Sequence, residues 1–141
     1  MLWGVRPVPD ATAPLVLYAE DDPAVRDLGV DALQEGGFGV VAVGSGGEAL
    51  RELERTDVVF KALVTDIDLP GGINGWEVAR RARERHPELP VIYVSGGSAD
   101  EWAAQGVPNS VMLQKPFALA QLVVAVSTAT LTGQSDHTSN T

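Results

Sequence analysis

The sequence predicts an α/β protein built on a doubly wound, five-stranded parallel sheet. Three observations carry that prediction. Short apolar runs rich in β-branched residues recur five times between positions 15 and 114. Segments with helical spacing of apolar residues alternate with them. Acidic, hydroxyl and basic side chains cluster where the runs end rather than within them.

The first run, LVLYA (15–19), is apolar at consecutive positions, as a strand covered on both faces should be. A helix follows: Asp22 is a good N-cap, Pro23 suits the first helical position, and Val25, Leu28, Ala32 and Leu33 form a stripe that stops at Gly36-Gly37. GVVAV (39–43) is the second strand. Ser45 and Glu48 have capping-box spacing before Ala49, Leu50 and Leu53. KALVTD (61–66) is the third strand. Asn74 and Glu77 repeat the capping spacing before a helix that ends near Pro87. PVIYVS (90–95) is the fourth strand, and Ser98 and Glu101 repeat the spacing again before a helix kept short by Gly106 and Pro108. SVMLQ (110–114) is the fifth. The last helix presents Leu119, Leu122, Val123 and Val126 on one stripe. All five runs are expected to be fully buried.

With 141 residues the chain fits one domain with a real core, placed at 15–131 between a flexible N-terminal segment (1–14) and a polar, flexible tail (132–141). Nineteen acids against ten bases give a net charge of −9, which argues against nucleic acid as a partner, because phosphates demand clustered cations. Absence of cysteine excludes disulfides and thiolate metal sites and is compatible with the cytoplasm. No apolar run approaches the roughly 20 residues of a membrane span, so a membrane is not an expected partner. The first fourteen residues lack the apolar stretch of a signal peptide.

Ligands of doubly wound sheets bind beyond the carboxyl ends of the strands. There the sequence places Glu20, Asp21 and Asp22 after the first strand, Asp66 at the end of the third, Ser95 at the end of the fourth and Lys115 after the fifth. A carboxylate attacks phosphorus only when charge repulsion is removed. Magnesium, or manganese, does this through oxygen ligands, and Asp21 and Asp66 are the expected direct ones, with Glu20 acting through water. Asp22 is assigned to helix capping. Lys115 offers a compact positive charge to the phosphoryl oxygens and Ser95 a hydroxyl donor. Three acids crowded together should raise the pKa of at least one of them in the metal-free state. Two other readings compete. GSGGEA (44–49) matches a dinucleotide-binding pattern, but leaves Glu20, Asp21, Ser95 and Lys115 unused. The D-x-D of Asp66 and Asp68 resembles haloacid dehalogenase phosphatases, but the other acids precede it here, and Pro70 stands where that family favours Thr or Val.

Residues 15–130 resemble the receiver domain of two-component response regulators. The resemblance rests on Glu20-Asp21-Asp22 followed by Pro23, VTD ending at Asp66, LPGGINGWE, SG at 95–96 and KPF at 115–117, in that order. It implies a flavodoxin-like (βα)5 fold of strand order 2-1-3-4-5 and transfer of a phosphoryl group to Asp66 from a histidine kinase or phosphotransfer protein. It further implies the backbone carbonyl of Asp68 as a metal ligand and a cis peptide at Pro116 that turns Lys115 inward. Signalling would pass by protein contact through the face of the fourth helix, fifth strand and fifth helix, in a monomer or weak dimer. Such a protein is no enzyme beyond its own phosphorylation and dephosphorylation. Two departures stand out: the loop after Asp66 is one residue longer than the commonest form, and Met112 occupies the switch position where the family usually has Tyr or Phe. A pseudo-receiver that binds partners without phosphorylation is the alternative, against which the full set of reactive residues argues. No output domain is expected in the chain, which reads as a stand-alone regulator, a phosphorelay shuttle or a piece of a larger protein.

Overall fold

The computed structural model describes residues 12–139, with side chains to position 131. In chain order the elements are β1 (Leu15–Ala19), α1 (Pro23–Glu35), β2 (Gly39–Val43), α2 (Gly46–Leu53), β3 (Phe60–Asp66), α3 (Gly75–Arg85), β4 (Val91–Ser95), a 3-10 turn (Ala99–Glu101), α4 (Trp102–Gln105), β5 (Ser110–Gln114) and α5 (Leu119–Ser139). The strands form one parallel sheet in the order β2-β1-β3-β4-β5. This is the flavodoxin-like arrangement that the sequence predicts.

Side chains alternate across a strand, so the sheet divides the interior into two cores. Val16 and Tyr18 of β1, Ala62 and Val64 of β3, and Ile92 and Val94 of β4 meet Leu33 of α1 and Leu122 and Val126 of α5. Their neighbours Leu17, Ala19, Leu63, Val91 and Tyr93 meet Leu53 of α2 and Trp76, Val78, Ala79 and Ala82 of α3. The three central strands are buried almost throughout. By contrast β2 and β5 are mostly half-buried, which corrects the expectation of five fully buried strands. Each is an edge strand with one neighbour, and consecutive apolar residues do not distinguish an edge from a centre.

Three of the four predicted caps form. Asp22 Oδ1 accepts from Ala24 N (2.9 Å) and Val25 N (3.3 Å). Ser45 Oγ accepts from Glu48 N (3.2 Å), and Asn74 Oδ1 accepts from Glu77 N (3.0 Å). Ser98 does not cap: its own amide donates to Ser95 Oγ (2.7 Å), and a 3-10 turn replaces the first turn of the helix. Leu28, expected on the inner stripe of α1, is 56% exposed, while Gly29 faces the ring of Tyr18. Helix α5 continues to Ser139, past the boundary expected at 131; no proline interrupts it, and Gly133 costs a helix only about 1 kcal/mol. Most of the N-terminal segment lies outside the described residues.

Between β3 and α3 the chain turns through Gly71 and Gly72, both at positive φ (89° and 88°), where a side chain would be strained. Ile73 and Leu69 of this loop pack on the α2/α3 core. Helix α3 then starts hard against the end of β3. Gly75 N donates to Ile67 O (2.8 Å), and a Cβ on Gly75 would lie 2.9 Å from the carbonyl carbon of Asp66. The obstruction is backbone on both sides. Gly75→Ala is therefore expected to lower the unfolding free energy by about 1–3 kcal/mol in urea titrations; a midpoint equal to that of wild type would show that α3 can retreat freely.

Candidate functional site

The strand ends bring three carboxylates and one ammonium together. Asp66 closes β3 and is 6% exposed; Glu20 follows β1 directly and is 2% exposed. Lys115 Nζ lies 3.0 Å from Asp66 Oδ2 and 3.3 Å from Glu20 Oε1. The remaining oxygens are held by backbone amides: Asp22 N donates to Glu20 Oε2 (3.1 Å) and Asp68 N to Asp66 Oδ1 (3.3 Å). Asp21 is exposed at the rim, and carboxylate oxygens of Glu20, Asp21 and Asp66 all lie within 4.8 Å of one another. Alternation explains the company: Glu20, Asp66 and Lys115 continue the rows of Tyr18, Val64 and Leu113, which belong to the α1/α5 face. The peptide bond between Lys115 and Pro116 is cis.

Ser95 is brought to the rim, where among the described residues it makes no hydrogen bond to the carboxylates. Fully buried, it continues the α2/α3 row of Val91 and Tyr93, and its Oγ accepts from Gly97 N (3.3 Å) and Ser98 N (2.7 Å). Its link to the lysine runs through the backbone, Lys115 N to Ser95 O at 2.8 Å. Met112 pairs with Tyr93 across the β4–β5 ladder and packs half-buried on the same core. Asp22 serves as the cap of α1, as its sequence context predicts. Two contributors were missed by sequence reasoning. Thr65, buried, donates its hydroxyl to Asp66 O (2.8 Å), and Arg26 of α1 donates Nη1 to Glu20 O (2.8 Å). An arginine one helical turn beyond an N-cap points back over that cap, which is the signal that was available for Arg26.

Burial pushes the Glu20 carboxyl above its usual range; the Asp22 amide opposes this, the charge of Asp66 adds to it, and Lys115 offsets it in part. One acid is thus raised, as expected, but burial is the larger cause and repulsion from Asp66 the smaller. Burial acts to lower the Lys115 pKa, but its hydrogen bond to Asp66 and the charges of Asp66 and Glu20 outweigh that and leave it raised. The Tyr18 hydroxyl behind them is pushed far up by burial and by the charges of Glu20 and Asp66. The cluster offers oxygen donors only, a set suited to a hard divalent cation such as magnesium or manganese rather than to zinc or copper. In GSGGEA, Ser45 caps α2, and a Cβ on Gly46 would stand 2.9 Å from Ile73 Cβ, so the glycines serve packing and capping.

The family model of the response regulator receiver domain matches residues 16–127. The chain belongs to the response regulator receiver family. The receiver protein CpdR of Brucella abortus is 35% identical to it over 113 residues, covering 77% of this chain and 89% of that protein. Sensor kinase CckA of the same organism is 38% identical over 114 residues, 79% of this chain but 12% of the kinase. The crystal structure of a receiver protein from Sinorhizobium medicae superposes with a TM-score of 0.84 at 40% identity, covering 88% of this chain and 99% of that one. The receiver domain of the sensor histidine kinase PA1611 from Pseudomonas aeruginosa, with a magnesium ion coordinated in its active site cleft, superposes with a TM-score of 0.72 at 26% identity, covering 84% of this chain and 98% of that one. The phosphatase reading is not favoured by these likenesses, and a receiver is not in itself an ordinary enzyme. Relatives include both sensor kinases and response regulators, the two sides of two-component signalling. Among the described residues no helix is long and apolar enough to cross a membrane.

The buried acid gives the metal-free receiver a pH signature. Because the folded pKa of Glu20 lies above the unfolded one, its protonated form contributes stability that is fully present below the ordinary glutamate range and is lost as pH rises through the raised value. Glu20→Gln is expected to gain stability relative to wild type as pH climbs from about 4.3 upward. Urea midpoints between pH 4 and 8 in a chelating buffer measure this; a gap that stays constant with pH would remove Glu20 as its cause.

Proposed function

We propose that this receiver accepts a phosphoryl group on Asp66 from the phosphohistidine of a histidine kinase or phosphotransfer protein, in the cytoplasm, and signals by protein contact. The observation that carries this reading is the Asp66 carboxylate, buried at a strand end with an ammonium 3.0 Å from one oxygen and two further carboxylates beside it. A buried acid cluster of this kind is poorly suited to stabilising a fold, since its charges are only partly compensated.

In the proposed transfer, an Asp66 oxygen forms the new O–P bond while the N–P bond of the donor breaks and its electron pair returns to the imidazole nitrogen. Asp21 and Asp66 would hold the divalent cation directly, with the Asp68 backbone carbonyl, and Glu20 through water. When bound, the cation neutralises repulsion between the entering phosphoryl oxygens and the carboxylates. Lys115, fixed against Asp66 before transfer, supplies positive charge without reorganising. Magnesium in the cleft of the PA1611 receiver supports that choice of ion.

Output is proposed to start at Ser95. Its Oγ already accepts two loop amides and has its own proton to donate to the phosphoryl group, so a movement of the hydroxyl carries Gly97 and Ser98 with it. That loop leads into the 3-10 turn and α4, a stretch (96–105) without one buried residue. Trp102 ties it to β5 through Nε1 donating to Ser110 Oγ (2.9 Å). Flexible Met112, in place of an aromatic ring, favours a graded shift between surface states over an all-or-none swing. Partners would read the change on the face formed by α4, β5 and α5.

Incubation with acetyl phosphate and magnesium is expected to add one hydroxylamine-labile phosphoryl group by intact mass, absent in Asp66→Ala; stable modification of Ser95 instead would sink the assignment. For the output, beryllofluoride with magnesium is expected to shift amide resonances across residues 95–117. Shifts restricted to residues lining the carboxylate cluster, with 98–117 silent, would refute the route through Ser95.

A further inference from the structure

The guanidinium of Arg26 bonds to no carboxylate among the described residues. It leaves α1 one turn after the Asp22 cap, half-buried, and forms no ion pair among the described residues. Its Nη1 donates instead to the backbone carbonyl of Glu20 at 2.8 Å. A cation bonded to a peptide oxygen and to no carboxylate is held by geometry rather than by pairing of charge. The end of β2 leaves space for it: a Cβ on Gly44 would stand 3.1 Å from Arg26 Nη1.

Glu20 is thereby fastened at both ends of its backbone. Its N–H donates to Val43 O of β2 (3.0 Å), and its C=O accepts from α1. A peptide group is planar, so fixing the Glu20 carbonyl fixes the plane from which the Cα of Asp21 departs. Asp21 is exposed, and among the described residues no side-chain hydrogen bond of its own aims its carboxylate. We propose that Arg26 is a positioning residue for the cation site, pinning the Glu20–Asp21 peptide so that the Asp21 carboxylate stands beside those of Glu20 and Asp66. The proposal rests on the phosphoacceptor reading, in which these carboxylates take a divalent cation.

Charge and positioning predict opposite signs. On charge alone, an arginine beside three carboxylates weakens their hold on a cation, and removing it would tighten binding. If Arg26 positions Asp21, its loss weakens binding although a repelling charge has gone. The test is calorimetric titration of the full chain with magnesium, comparing wild type, Arg26→Gln, Arg26→Lys and Asp21→Asn. Glutamine is too short to reach the carbonyl; the expected result is about tenfold weaker binding, in line with the loss of one charge-assisted hydrogen bond. Lysine keeps a donor on a long stem and is expected to return most of that loss. Equal or tighter binding by Arg26→Gln would overturn the proposal. A second reading needs no cation: in the metal-free state the Asp21 and Asp22 amide resonances should move in Arg26→Gln, and unmoved resonances would overturn the proposal as well. Failure of the phosphoacceptor reading looks different, because wild type itself would then bind no magnesium, or Asp21→Asn would bind it as well as wild type does.

Discussion

Two buried carboxylates and the ammonium between them constrain everything at the upper rim of this sheet. Lys115 belongs to the end of β5, Asp66 to the end of β3 and Glu20 to the end of β1. In the strand order β2-β1-β3-β4-β5 the lysine's strand neighbours neither of the others; β4 lies between β5 and β3. At about 4.8 Å per strand, β5 and β3 are roughly 10 Å apart. The contact closes only if the order is correct, if the strands end level with one another, and if each residue sits on the same face. A slip of one residue in any of the three would turn a side chain to the opposite core. Charges placed this deep are poorly solvated, so one wrong orientation would leave a buried carboxylate with no counter-charge. The fold accommodates the arrangement on central strands whose other buried side chains are mostly apolar.

Division of the interior into two cores also separates two tasks. The carboxylates and Lys115 stand on the α1/α5 side, Ser95 and Met112 on the α2/α3 side. The backbone bond from Lys115 N to Ser95 O crosses between them. The proposed chemistry at the acids and the proposed movement at the α4 loop would thus occupy opposite faces of one sheet, joined at the end of β4. Gly75 adds a third constraint from below, since α3 abuts the peptide that carries the proposed phosphoacceptor.

Much of this could be read in the sequence. The strands announced themselves as β-branched runs, and the rim acids and Lys115 stood at their ends, so period and punctuation together located the site. Three N-caps were legible because capping is local: Asp22, Ser45 and Asn74 need only their next turn. Ser98 looked identical by spacing yet formed no cap: its backbone (φ −114°, ψ 12°) lies outside the extended conformation of an N-cap, and a 3-10 turn follows it. The same limit hid the edge strands. GVVAV and SVMLQ resemble the central runs, and burial at an edge depends on which strands pair, a fact of the whole chain. Arg26 and Thr65 act through backbone oxygens: the place of Arg26 one turn beyond the Asp22 cap was a usable signal, whereas the Thr65 bond to the Asp66 carbonyl leaves no trace in a residue code.

Residues 96–105 have a consequence for how such a protein can diversify. A stretch with no buried side chain is held by a few polar tethers at its ends, and substitution of exposed residues there changes stability by about half a kcal/mol or less. The central strands have no such freedom, since their side chains are locked into both cores. Mutation can therefore rewrite the exposed turn and α4 while the carboxylate cluster stays untouched. New recognition can arise on a segment whose failure does not endanger folding, and the chemistry is inherited unchanged beneath it.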